Sequence, residues 1–382
     1  MALEITFIPA LLLTLLAASF GRVISLKVNQ PEILGELILG VILGNFIVLA
    51  PSAQGPVADV AEIGILLLLF LSGLDLNFER FKESLIPSSG VATGGIVLPF
   101  LLGYLTCIYF NFSYPTALFI GASLVATSVG ISASILYESG RLNTRLGALI
   151  MDSAVADDVI GVIMMTVLFS ISTTGSLHLQ ETVLLIFFTI LFFALSLTFG
   201  IEAIKAISER IPIEKENLLI GGLVLLLSFA LITQKIGLAP VIGAFVAGLV
   251  IGQTQYVESL KNSVSLIGNG FFIPIFFVTT GMKFNLNELA SVGLFALIIL
   301  LMAVLGKVIG CSVGAKLFKF SNEESLATGI AMVPRAEVAL IIAHFGLDHD
   351  IFGSDIFSVI VTVTLITTLL TPPFLWRIMS KI

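Results

Sequence analysis

Charge is scarce in this chain. Of its 382 residues only 11% are Asp, Glu, Lys or Arg, while 57% are hydrophobic and the mean hydropathy is +1.12. Water-soluble domains carry about 25% charged residues, so an aqueous fold is excluded, and the length leaves no room for a separate aqueous domain beside the apolar stretches. There is no basic patch, which argues against a nucleic-acid partner. The net charge of −7 says little about partners when most of the surface faces lipid. The two cysteines, Cys107 and Cys311, sit in apolar runs, which argues against a disulfide framework or a thiolate metal site. No pair among His178, His344 and His349 has metal-ligand spacing, so no zinc site is expected. A single tryptophan, Trp376, leaves no aromatic box for a polyene chromophore.

What the chain does have is apolar runs divided by polar or Gly/Pro punctuation. A spanning helix needs about 20 apolar residues, and the pattern predicts thirteen spans: 5–25, 31–49, 57–75, 86–109, 114–136, 144–172, 181–204, 218–235, 239–252, 263–281, 290–316, 323–346 and 353–378. The first run follows Glu4 and lacks a basic leader and a small-residue cleavage site, so it reads as a span and not a signal peptide.

Loop charge supports the count. With the N-terminus outside, the cytoplasmic loops and the C-terminal tail hold Arg22, Lys27, Arg80, Lys82, Arg141, Arg145, Lys205, Arg210, Lys215, Lys261, Lys316, Lys319, Arg377 and Lys381, fourteen of the eighteen basic residues. The outward loops hold Lys235 and Lys283. Basic residues stay on the cytoplasmic side, and adding or dropping one span mid-chain would scramble that segregation. The expectation is a multi-pass cell-membrane protein with an outside N-terminus and a cytoplasmic C-terminus.

The two remaining basic residues, Lys307 and Arg335, fall mid-span, where a charge costs a few kcal/mol or more unless it is paired or wetted. The sixth span carries Asp157 and Asp158 at its midpoint. Adjacent carboxylates persist there only when protonated, paired with a cation, or open to water. On a helix they point about 100° apart, so one can face a partner helix while the other faces a cavity. Lys307, within Gly306-Lys-Val-Ile-Gly310, has one of these aspartates as its natural partner. In Met332-Val-Pro-Arg-Ala-Glu-Val338, Pro334 removes a backbone hydrogen bond mid-span. Glu337 is two residues beyond Arg335 and is expected to compensate its charge if the helix is broken. The fifth span carries Ala126-Thr-Ser-Val-Gly-Ile-Ser132, where Thr127, Ser128 and Gly130 permit a break and supply oxygen ligands. Asp152 lies toward the cytoplasmic end of the sixth span, either lining an inward funnel or solvated at the helix start. Glu32, Glu36 and Glu62 are expected to pair or to reach an interface.

The fifth and twelfth spans are each the middle of a triplet. Thirteen spans can be written as six, a linker and six, and the odd number between the halves inverts one against the other. Interrupted helices at matching places of inverted repeats point to a transporter's binding site, so a transporter is expected and not an enzyme. An aspartyl protease would need its aspartates on facing helices, and a channel would need an open pore. A light-driven retinal protein using Lys307 is a remote alternative.

With these motifs together, the sequence resembles the cation:proton antiporter-2 family of sodium/proton antiporters, most closely its NapA-type members. The resemblance covers essentially the whole chain. It rests on Ala126-Thr-Ser-Val-Gly130, Asp157-Asp158, Gly306-Lys307-Val308, Pro334-Arg335-Ala336-Glu337, the segment Asn29-Gln-Pro-Glu-Ile-Leu-Gly-Glu36, and Gly237-Leu-Ala-Pro240. It implies an all-α polytopic fold of the NhaA/NapA-like antiporter type, with two interrupted crossing helices, and a homodimer working by elevator-like alternating access. The implied organisation is a dimerisation domain from 1–85 and 218–285, a linker helix in 176–217, and a transport core from 86–175 and 286–382. Asp158 would be the shared Na+ and H+ ligand, with Asp157, Thr127 and Ser128 beside it. Asp157–Lys307 would be a switching ion pair, and Arg335 and Glu337 would support the crossing helices. Asp152 departs from the small residue expected there. Electrogenic Na+/H+ exchange without a cofactor follows, with K+/H+ exchange as the alternative and Li+ a further possible cargo. The chemistry agrees: a hard cation takes oxygen ligands, and a buried carboxylate that binds either H+ or Na+ couples the two fluxes.

Overall fold

In the computed structural model the described residues are 6–28, 30–46, 51–75, 85–142, 144–174, 179–210, 215–236, 238–335 and 337–382. Glu4, Asn29, Arg80, Lys82, His178, Gly237 and Ala336, named above, lie outside them.

The described chain is helical throughout, as its apolar runs require: α1 (Phe7–Lys27), α2 (Glu32–Phe46), α3 (Pro51–Asp75), α4 (Leu85–Tyr109), α5 (Tyr114–Ser123), α6 (Val129–Glu138), α7 (Arg145–Thr174), α8 (Leu179–Leu195), α9 (Ile201–Arg210), α10 (Lys215–Lys235), α11 (Pro240–Ile251), α12 (Val257–Ile267), α13 (Ile273–Met282), α14 (Leu286–Ser291), α15 (Gly293–Leu317), α16 (Asn322–Ala331), α17 (Glu337–Asp348) and α18 (Ser354–Met379). Five-residue π-helical turns join α8 to α9 and α12 to α13. Every predicted span thus meets helix. By length and composition, eight stretches among the described residues can cross a membrane: Phe7–Lys27, Ala53–Asp75, Ile86–Tyr109, Phe187–Ile204, Asn217–Lys235, Val257–Met282, Gly293–Leu317 and Ser354–Met379. The molecule is an all-helical, multi-pass membrane protein.

Local chemistry sets several helix ends. Ser113 caps α5, accepting from the Thr116 amide at 3.3 Å, and a proline follows in the first turn. Ser321 and Glu324 form a reciprocal capping box at the start of α16. Asn285 accepts from the amides of Asn287 and Glu288 to start α14.

The chain forms two compact units. The first comprises Met1–Phe20, Phe46–Glu79 and Met165–Thr279. Within it α3 packs on α11, and α11 on α10. Gly73 and Gly248 bring the α3 and α11 backbones together, and Lys261 pairs with Asp75.

The second unit comprises Gly21–Asn45, Arg80–Met164 and Thr280–Ile382. Its spine is the packing of α4 along α15. Gly306, Gly310 and Gly314 recur on α15 at four-residue spacing and meet Pro99, Gly94 and Gly90 of α4, the small-residue seam that lets membrane helices approach closely. A Cβ on Gly306 would stand 2.6 Å from the Pro99 Cα, and one on Gly314 2.6 Å from the Gly90 carbonyl oxygen. Gly94 and Gly310 are closer still, each against the other's carbonyl oxygen. Two apolar clusters flank this spine. Ile135, Leu136, Leu146, Ile150, Ala331 and Leu375 tie α6, α7, α16 and α18 together. Val91, Leu149, Ala154, Cys311, Phe320 and Met332 tie α4 and α7 to α15 and the end of α16.

Overpacking a fitted contact costs about 1–3 kcal/mol when side chains can shift. Because the neighbour of Gly310 is backbone, Gly310→Val is expected to reach or exceed that range. The measurement is the thermal midpoint and monodispersity of the detergent-purified protein. A parent-like midpoint would show that α4 and α15 are not in contact.

Two ion-pair groups lie toward helix ends in this unit. Arg22 holds Glu32 at 2.9 Å and Glu36 at 3.0 Å, the latter 1% exposed. Lys283 pairs with Asp348 at 2.6 Å, and His344 reaches the other oxygen of that carboxylate at 2.9 Å.

Candidate ion-binding site at the crossing of two broken helices

Two helices break where the sequence has hydroxyl residues or proline. Between α5 and α6, residues 124–128 leave the helix; between α16 and α17, Met332 to Arg335 do the same. Each break strands backbone donors and acceptors, which the membrane interior tolerates only when other protein groups take them up. Here the two breaks take up each other's groups. The Ser128 amide donates to the Pro334 carbonyl at 2.8 Å, the Thr127 hydroxyl reaches the Met332 carbonyl at 3.3 Å, and the Ser132 hydroxyl donates to the Ala331 carbonyl. Helix α18 lends hydroxyls too: Thr368 donates to the Arg335 carbonyl at 2.8 Å, and Thr367 accepts from the Arg335 amide at 3.3 Å.

Arg335 is completely buried at this crossing. Its Nη1 donates to the Ala126 carbonyl at 2.7 Å and its Nη2 to the Ala303 carbonyl at 3.2 Å. One planar guanidinium therefore joins both breaks to α15, which a point-charge lysine could not do with the same geometry. The expected compensation of Arg335 by Glu337 is not what is found. Arg335 gives one donor from each Nη to a carbonyl and keeps its Nε buried without a hydrogen-bond partner, while Glu337 stands in the first turn of α17, where a helix N-terminus favours an acid. There the Ser128 side chain hydrogen-bonds to it, and it acts electrostatically on Asp158. The two side chains thus go to different partners.

Helix α7 presents its carboxylates to this crossing. Asp157 is completely buried; one oxygen, Oδ2, pairs with the Lys307 ammonium and accepts from the Thr127 hydroxyl at 2.7 Å. The other oxygen, Oδ1, is buried with no hydrogen-bond partner. Lys307, on α15, is completely buried as well. Asp158 is partly exposed. Two like charges, Glu337 and Asp157, and one opposite charge, Lys307, act on it. Asp152, 6% exposed, is one and a half turns earlier on α7 and has polar contacts of its own.

The structure thus brings together Thr127, Ser128, Asp157, Asp158, Lys307, Arg335 and Glu337. It leaves Asp152 on the same helix but outside this cluster. Sequence reasoning missed two features. One is Glu337 as a neighbour of Asp158, signalled by the acid three residues after Pro334, where a new helix starts. The other is the Ala303 carbonyl, which no side-chain motif marks. Chemically the cluster offers three acids and two hydroxyls against one lysine and one arginine. The acids therefore outnumber the two cationic side chains, of which the arginine also holds the Ala126 and Ala303 carbonyls. That composition suits exchange of a small cation with protons.

A carboxylate pair with a buried lysine at a crossing of broken helices defines a cation/proton transporter. The chain belongs to the family described as "Sodium/hydrogen exchanger, transmembrane", which it matches over residues 11–379. It is a transporter and not an enzyme. It is 34% identical over 375 residues to the Na(+)/H(+)-K(+) antiporter GerN of Bacillus cereus, covering 98% of this chain and 96% of that one. It is 34% identical over 379 residues to a Na(+)/H(+) antiporter of Enterococcus hirae, covering 98% and 99%. In fold it is similar to the solved sodium proton antiporter MjNhaP1 of Methanocaldococcus jannaschii, with a TM-score of 0.74, 19% identity and 98% of each chain covered.

Proposed function

We propose that this protein exchanges Na+ for H+ across the cell membrane, electrogenically, by elevator-type alternating access. The observation that carries the reading is the completely buried Asp157–Lys307 pair beside a partly exposed Asp158, where the two helices break. Asp158 is the ligand that H+ and Na+ share. Thr127, Ser128 and Glu337 supply further oxygens, with water. When Na+ arrives, Asp157 turns from Lys307 toward the cation, and its unpartnered Oδ1 is already available; when Na+ leaves, the pair reforms. A proton released from Lys307 in addition to the one from Asp158 gives net charge movement per cycle. Arg335 holds the breaks while the charges redistribute, and Asp152 stands on the cytoplasmic approach.

The wider reading is a NapA-type member of the cation:proton antiporter-2 family, with thirteen spans in inverted repeats. Its transport core is drawn from 86–175 and 286–382, and its dimerisation domain from 1–85 and 218–285, with 176–217 as the linker. The compact unit that holds Arg80–Met164 and Thr280–Ile382, together with Gly21–Asn45, supports pairing those two core segments. A homodimer in the lipid bilayer with an outside N-terminus, a cytoplasmic C-terminus and no cofactor completes it. Potassium is the second reading, favoured by the printed name of the Bacillus cereus relative, which includes K(+).

The test is proton flux in proteoliposomes titrated with Na+, Li+ and K+, with and without an imposed potential. Sodium is expected to drive flux at the lowest concentration, and an inside-negative or inside-positive potential to change its rate. Since protons compete for the same carboxylate, the half-saturating Na+ concentration is expected to rise as pH falls. A half-saturation that ignores pH would rule out a shared ligand.

A further inference from the structure

The Lys307 ammonium is walled on its α4 side by Gly95. A Cβ on Gly95 would lie directly against the Cys311 sulfur, 3.3 Å from Lys307 Nζ and 3.5 Å from its Cδ. The charged or titratable groups around Lys307 are Asp157 and Asp158 from α7, Arg335 from the second break, and Cys311 one turn further along α15. Helix α4 carries no Asp, Glu, Lys, Arg or His at all. At Gly95 the α4 wall of the lysine's slot is backbone without a side chain.

Glycine is among the poorest helix formers, yet α4 carries two in a row. Gly94 is accounted for by the Gly310 backbone it touches. Gly95 points about 100° away, and what it meets is the Cys311 thiol and the lysine's end. We propose that Gly95 is a positioning residue for exchange: by carrying no side chain it keeps open the slot in which the Lys307 ammonium sits. It thereby lets the ammonium reach its partner, Asp157. This rests on the role given to Lys307 above.

The test compares Cys311→Ala with Gly95→Ala/Cys311→Ala in proteoliposomes. Removing the thiol makes space for the new methyl group, so that the ammonium is its remaining close neighbour. A displaced ammonium competes less with Na+ for Asp157, so the half-saturating Na+ concentration is expected to fall about twofold or more, with the maximal rate close to that of Cys311→Ala. An unchanged or raised half-saturation overturns the proposal.

A thermal cycle gives an answer even if exchange is lost. The fall in Tm caused by Gly95→Ala is measured with Lys307 present and with Lys307→Ala, both in the Cys311→Ala background. A smaller fall without the lysine is expected, because contacting residues couple. Equal falls assign Gly95 to helix packing alone and overturn the proposal. Asp158→Asn serves as the separate control. If that variant still exchanges, the reading of the site fails, while the thermal cycle continues to judge Gly95.

Discussion

Asp158→Asn is expected to reduce cation-driven proton flux to the leak of protein-free vesicles. Asparagine keeps the size and shape of the side chain but carries neither the charge that binds Na+ nor the proton exchanged for it. The change should leave folding intact, because Asp158 is partly exposed and the buried pairing at this crossing belongs to Asp157. Two readouts separate loss of the ligand from loss of the protein. The variant should purify as a monodisperse species with a thermal midpoint near the parent's. It should also stop responding to Na+. A ligand that binds only the folded state stabilises it by about 2.7 kcal/mol at a hundredfold excess over Kd, so the parent's midpoint should climb with Na+ at alkaline pH and the variant's should stay level. Exchange at the parent rate in Asp158→Asn would place the shared ligand elsewhere.

Lys307→Ala is expected to have the largest effect on stability. Its ammonium is the cation paired with the completely buried Asp157. Removing one partner of a buried pair leaves an uncompensated charge and costs about 3–5 kcal/mol. A fall in Tm of several degrees should follow, together with a weaker response of the exchange rate to membrane potential, since a proton carried by Lys307 no longer moves. The penalty arises from the stranded carboxylate, so Asp157→Asn added to Lys307→Ala should recover much of the lost Tm. A cycle in which the two substitutions simply add would show that the pair contributes nothing to the fold.

Both variants probe residues that hydropathy singles out. Lys307, Arg335, Asp157 and Asp158 are charges inside runs long enough to cross a membrane, and the expense of charge in lipid marks them without any structural knowledge. The interruption of the fifth and twelfth apolar stretches was also legible, from Thr127, Ser128 and Gly130 in one and Pro334 in the other. Spacing alone could not say which aspartate the lysine meets, because a helix directs adjacent residues about 100° apart and the rotation of α7 is set by its neighbours. Nor could it separate Arg335 from Glu337. Two residues apart in sequence, they look like a compensating pair; in the fold the guanidinium goes to the Ala126 and Ala303 carbonyls and the carboxylate to Ser128 and the neighbourhood of Asp158.

Composition and periodicity by themselves determined that this is a helical membrane protein and which few charges lie inside its apolar runs. These follow from local quantities: the transfer free energy of apolar side chains, the missing amide of proline, the expense of an ion in hydrocarbon. Only the tertiary structure decided which groups meet. The glycine seam between α4 and α15, the mutual satisfaction of the two breaks, and the choice of Asp157 as the lysine's partner depend on helix rotation and on backbone carbonyls. A carbonyl is present at every residue, so no sequence pattern can mark the ones that will be used.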